Sequence, residues 1–124
     1  MIHHIAVWVS DLEKMRDFYI KYFDGTSNTL YHNQKKHFKS YFLSFDDGSK
    51  LELMQSSVDQ RSNGICLGYA HIAFSLGSKD RVDSLTKLLA GDSYTVVSGP
   101  RITGDGYYES CILDPEGNRV EITV

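Results

Sequence analysis

Ile5, Val7 and Val9 share one parity of the first strand-like run, and His4, Ala6 and Trp8 share the other. This two-residue period, rich in β-branched side chains, predicts a strand over 2–9. The period then changes. After Ser10-Asp11, either of which can cap a helix, Leu12, Met15, Phe18 with Tyr19, and Tyr22 recur at helical spacing. Asp24-Gly25 ends that helix. Three more strands are expected at 26–31, 38–45 and 50–55, and Asp46-Asp47-Gly48-Ser49 is a hairpin turn between the last two.

The second half repeats the order. A strand is expected at 69–76, and Ser78 opens a helix whose apolar face is Val82, Leu85 and Leu88-Leu89. Gly91-Asp92-Ser93 breaks it. Strands follow at 94–98, 107–113 and 119–124, with a turn at 114–118 and a looser loop marked by Gly99-Pro100 and Gly104-Asp105-Gly106. Each half reads β-α-β-β-β. The expectation is an α+β fold of two tandem βαβββ modules, forming a curved eight-stranded mixed sheet. One domain spans 1–124, with module 1 at 1–55, a polar linker at 56–66 and module 2 at 67–124.

The repeat also places chemistry. His4-Ile5-Ala6 opens the first half and His71-Ile72-Ala73 the second, 67 positions on; Leu51-Glu52-Leu53 and Val120-Glu121-Ile122 lie 69 apart. Strand alternation puts His4, Glu52, His71 and Glu121 on the sheet surface that the helices leave open. A single such His or Glu ordinarily marks a solvent face. Two of each in matching places point to a metal site with two imidazoles and two carboxylates. His3 competes with His4, but alternation sets it on the helix side and its counterpart in the repeat is Ala70. His32 and His37 have no counterpart and read as surface residues.

Composition narrows the function classes. The chain has 124 residues, 41% of them hydrophobic, and a net charge of −3. That suits one soluble globular domain, and argues against a nucleic-acid or membrane partner. No apolar run reaches the length of a membrane helix, and the first strand leaves no room for a signal peptide. Cys66 and Cys111 lack metal or redox spacing and read as reduced, buried thiols, which suggests a cytoplasmic protein.

The motifs His-Ile-Ala-Val-Trp-Val-Ser-Asp-Leu with Asp-Phe-Tyr at 4–19, Leu-Glu-Leu at 51–53, His-Ile-Ala-Phe-Ser at 71–75 and Leu-Asp-Pro-Glu-Gly-Asn-Arg-Val-Glu-Ile at 113–122 resemble the vicinal oxygen chelate superfamily. This is the group of glyoxalases, bleomycin-resistance proteins and ring-cleaving dioxygenases. The resemblance covers nearly the whole chain. It implies paired βαβββ modules around one divalent metal ion, with the ligands of glyoxalase I-like members falling on His4, Glu52, His71 and Glu121. Glutathione-dependent members carry an Arg at the place of Trp8 and an Asn just after the first Glu, where this chain has Gln55-Ser56. Glutathione is therefore not the expected substrate.

Such a ligand set leaves open positions for a substrate with two adjacent oxygens and accepts Zn, Ni, Co, Mn or Fe. The expected activity is a glyoxalase-type lyase or isomerase working through an enediolate, with Glu121, or else Glu52, as general base. The alternatives are an antibiotic-binding protein of the bleomycin- or fosfomycin-resistance type and a ring-cleaving dioxygenase. Glu109 and Cys111 share the strand next to Glu121, and Trp8 and Tyr107 are candidate substrate walls. Residues 104–106 read as a surface turn, with a lid as the alternative. Tyr31, Phe38, Tyr41, Phe42 and Phe45 give module 1 more aromatic surface than it is expected to bury, which suggests a homodimer.

Overall fold

The structure is a computed structural model that describes residues 4–35, 37–57, 71–104 and 106–124. It is mixed α+β with two helices and two mixed sheets, and it divides into two compact units, Met1–Cys66 and Leu67–Val124. His3, Cys66, Ala70, Asp105 and most of the linker lie outside the described residues.

Unit 1 contains β1 (Ile5–Trp8), α1 (Leu12–Phe23), β2 (Thr26–Ser27), β3 (Tyr31–Asn33), β4 (Phe38–Ser44) and β5 (Lys50–Ser56). Its sheet runs β1-β5-β4-β2, with β3 also on β4. Asp11 caps α1 by accepting a bond from the Lys14 amide at 3.1 Å, and Asp24 ends it in the left-handed region. The buried stripe Leu12, Met15, Phe18, Tyr19, Tyr22 and Phe23 packs on β4 and β5 over Tyr41, Leu43, Leu51 and Leu53. Polar groups also tie the helix to the sheet. The Tyr41 hydroxyl donates to Glu13 Oε1 at 2.8 Å and accepts from Arg16 at 3.0 Å.

Unit 2 contains β6 (Ile72–Ser75), α2 (Lys79–Gly91), β7 (Val96–Ile102), β8 (Tyr108–Leu113) and β9 (Arg119–Thr123), in the order β6-β9-β8-β7. Ser78 caps α2. Val82, Thr86 and Leu89 are buried against the sheet, with Ile112, Val120 and Ile122 beneath. At the register position matching Tyr41, the Ser110 hydroxyl meets Thr86 Oγ1 at 2.6 Å. Both units thus join sheet to helix through a hydroxyl at the same place.

The structure departs from the expected elements at three points. The strand expected at 26–31 is two strands, so the described residues hold nine strands in two sheets rather than eight in one. Between the pairs Ser27–Leu43 and Tyr31–Ser40, three residues face two, which is a bulge. Asn28 holds it, taking the Phe42 amide on its Oδ1 at 2.8 Å. Secondly, β7 runs through Gly99-Pro100, which looked like a loop. It is an edge strand with register shifts, where a residue lacking N–H is tolerated, and Gly99 sits at φ 79. Thirdly, Leu88 is half exposed and Thr86 takes its expected place. Thr86 is able to go inside because its hydroxyl is satisfied by Val82 O at 2.7 Å and by Ser110.

A candidate metal centre

Each unit aligns its His and Glu through one parallel ladder. In unit 1, Ile5, Ala6 and Val7 lie opposite Leu51, Glu52 and Leu53. In unit 2, Ile72, Ala73 and Phe74 lie opposite Val120, Glu121 and Ile122. The ladders close alike, with the Val9 amide on Met54 O and the Leu76 amide on Thr123 O, both at 2.8 Å. Leu51, Leu53, Val120 and Ile122 are at most 3% exposed, so the carboxylates between them turn to the open face. A slip of one residue would bury both Glu side chains, and the cost of that burial locks the register.

The antiparallel hairpins complete the framework. Asp114 is buried, and its carboxylate accepts from the Glu116 and Asn118 amides and from Asn118 Nδ2, all at 2.9 Å. With Gly117 at φ 84, this shapes the turn and sets Cys111 opposite Glu121. The acid of the Asp-Pro-Glu-Gly-Asn motif is therefore a builder of the turn. In unit 1 the turn at Gly48 sets Phe42 opposite Glu52.

On the open face, His4 Nε2 lies 3.7 Å from Glu52 Oε2, and His71 Nε2 lies 3.2 Å from Glu121 Oε2. The sequence-predicted residues are thus brought together in pairs. Both separations are short enough for an imidazole nitrogen and a carboxylate oxygen to bond the same ion at metal–ligand distances of about 2.1 Å. The donor set and spacing therefore suit a divalent cation. Among the described residues no group of three or more His, Cys, Asp or Glu side chains gathers at one point. Each unit offers two donors.

The two pairs have different surroundings. His4 meets the Phe42 ring edge-on, with centroids 5.1 Å apart. Its counterpart beside Glu121 is the small thiol of Cys111. Burial pushes that thiol's pKa up, with the Arg119 guanidinium pulling the other way. Cys111 thus puts a small, buried side chain beside Glu121. Sequence reasoning missed Phe42, which only the hairpin register identifies. Trp8 and Tyr107 are half or more exposed, as substrate walls need to be, and Glu109 lies on the Cys111 side of its strand.

Known proteins share this architecture. An uncharacterised protein of Bacillus subtilis, YqjT, is 28% identical over 98% of this chain and 96% of its own. A glyoxalase family protein from Enterococcus faecalis superposes with a TM-score of 0.81, at 21% identity, over 100% of this chain and 97% of that one. The trypanothione-dependent glyoxalase I of Leishmania major gives 0.79, at 18% identity, over 99% and 85%. These structural likenesses establish the fold. The duplicated frame finds its match in the family model of the glyoxalase/bleomycin resistance protein/dioxygenase superfamily, which covers residues 1–122, and the chain belongs to that superfamily.

Proposed function

We propose that this protein is a divalent-metal-dependent lyase or isomerase of the glyoxalase type, acting on a small substrate with two adjacent oxygens. The observation that carries this reading is the pair of register-matched His–Glu contacts, at 3.7 and 3.2 Å, on the open faces of the two sheets. His4, Glu52, His71 and Glu121 together would hold one ion; superfamily membership supports this. The ion, when bound, supplies Lewis-acid polarisation of the substrate oxygens.

The remaining work falls to side chains. Glu121 is the proton acceptor for the C–H beside the substrate carbonyl. Its neighbour across the strand is small, so its carboxylate has room to swing, whereas Glu52 has Phe42 opposite it. His4 and His71, whose Nε2 atoms lie 3.7 and 3.2 Å from the carboxylates of Glu52 and Glu121, would share the ion with those carboxylates. Trp8, exposed on the same face as Glu52, excludes water from one side. A homodimer in the cytoplasm belongs to the same reading, supported by the exposure of Leu30 and Tyr31. Its check is sedimentation, where a 14 kDa species at micromolar concentration with metal present would refute it.

The activity test starts from chelated protein reloaded with Ni, Co, Mn, Fe or Zn. Hemithioacetals, epimerisable acyl thioesters and catechols are then offered. Metal-dependent turnover of the first or second class, reduced about 100-fold or more by Glu121→Gln, is the expected result. Oxygen uptake with catechols would assign the ring-cleaving alternative instead.

A further inference from the structure

The repeat duplicates more than His and Glu. Lys50-Leu51-Glu52-Leu53 in the first module answers to Arg119-Val120-Glu121-Ile122 in the second, so a cation stands two residues before each Glu. Two residues along a strand return to the same face, about 7 Å away. Lys50 and Arg119 therefore share the open faces with Glu52 and Glu121. They also stand beside the histidines. Ile5 pairs with Leu51 and Ile72 with Val120, so one step back along each parallel ladder His4 adjoins Lys50 and His71 adjoins Arg119. Across the antiparallel ladders their neighbours are uncharged, Ser44 for Lys50 and Leu113 for Arg119.

Both cations are available to a ligand. Lys50 is half-buried and Arg119 is exposed. Among the described residues neither is paired with a carboxylate, because Glu52 takes His4 and Glu121 takes His71. The Arg119 guanidinium comes close to the Cys111 thiol, which stands opposite Glu121, so it leans along the sheet toward the candidate centre. The further charges of this face, Arg101 and Glu109, lie opposite each other on β7 and β8, so their charges balance. One cation on the open face of a strand ordinarily meets only solvent. The same place filled in both modules, against the same two donors, calls for a shared role.

Charge identifies that role. A divalent ion would cancel the carboxylates of Glu52 and Glu121 and leave Lys50 and Arg119 as uncompensated positive charge, which attracts anions. We infer that Lys50 and Arg119 hold an oxyanion, carboxylate or phosphate, which the substrate carries in addition to its two adjacent oxygens. This rests on the proposed function for the reacting end of the substrate, while the anion subsite is testable on metal-free protein.

The test uses full-length, isotope-labelled protein, both chelated and reloaded with Zn, at constant ionic strength. Acetate and inorganic phosphate are titrated while amide shifts are followed. Saturable shifts at the Lys50 and Arg119 amides are expected in both states, about 10-fold or more tighter after reloading, since the ion cancels the competing carboxylates. A phosphate affinity above that of acetate assigns a phosphate, and the reverse assigns a carboxylate. Lys50→Gln/Arg119→Gln should weaken both anions about 10-fold or more, and Lys50→Arg/Arg119→Lys should keep most of the affinity. Lys14→Gln/Lys21→Gln, which removes the same charge from α1, should bind as the wild type does. Non-saturating shifts up to about 100 mM in both states, unchanged affinity in Lys50→Gln/Arg119→Gln, or an equal loss in the helix variant would overturn the inference. Protein that takes up no metal, yet binds anions in a way the Gln pair abolishes, would count against the proposed function alone. One ion per chain without saturable anion binding would count against the subsite alone.

Discussion

Replacing Thr86 by Val should destabilise the protein more than replacing Ser110 by Ala, and making both changes should cost no more than Ser110→Ala alone. Thr86 has one hydroxyl proton, and it goes to Val82 O at 2.7 Å. Ser110 must then be the donor in the 2.6 Å contact between them. Both residues are at most 5% exposed. Thr86→Val keeps the shape but strands the Ser110 hydroxyl, costing about 1–3 kcal/mol. Ser110→Ala removes one hydrogen bond and leaves Thr86 still donating, a loss of about 1 kcal/mol. With both polar partners gone nothing is stranded, so the double variant should sit near Ser110→Ala. At about 2.1 cal/mol/K per residue, 1 kcal/mol corresponds to roughly 4 °C in Tm for a chain of this size. Thermal and urea melts of the four proteins, chelated, form the cycle. Additive losses, or a milder effect of Thr86→Val than of Ser110→Ala, would refute the donor assignment. Metal binding should not change in any of the three, because both hydroxyls lie on the helix side.

Gly99→Ala should be severe, at about 3 kcal/mol or more by urea melts, because an added Cβ would stand 2.5 Å from Glu109 O at a φ of +79. A loss below about 1 kcal/mol would show that β7 gives way. Tyr41 has a raised pKa, first because its hydroxyl donates to Glu13. The folded state thus holds that proton more tightly than the unfolded chain does. This stability is present below the ordinary tyrosine range near 10 and is lost as pH rises through the folded value. Tyr41→Phe should therefore lose stability at pH 7 and flatten the alkaline limb of a Tm–pH profile; an unchanged limb would contradict the Tyr41–Glu13 bond.

Much of this was legible in the chain because burial has a period. Alternation around Leu51-Glu52-Leu53 and Val120-Glu121-Ile122 gave the open face directly, and the two helices followed from their caps and stripes. What escaped depended on partners remote in sequence. Thr86 is absent from the expected apolar face because its satisfaction comes from Ser110 on a strand remote in sequence. The bulge at Asn28 is a matter of cross-strand register, and so is the placing of Phe42 beside Glu52 and His4. Tyr41 was counted among the surface aromatics but is buried, since Glu13 and Arg16 reach its hydroxyl.

We propose that the two His–Glu pairs serve one ion. Metal content after reloading, measured for the wild type and for His4→Ala/Glu52→Ala and His71→Ala/Glu121→Ala, tests it directly. About one divalent ion per chain is expected in the wild type, and loss of that ion in both double variants, since two donors alone bind weakly. Two ions per chain with one lost in each variant would mean two separate sites, and unchanged metal content in both variants would mean that these residues hold none.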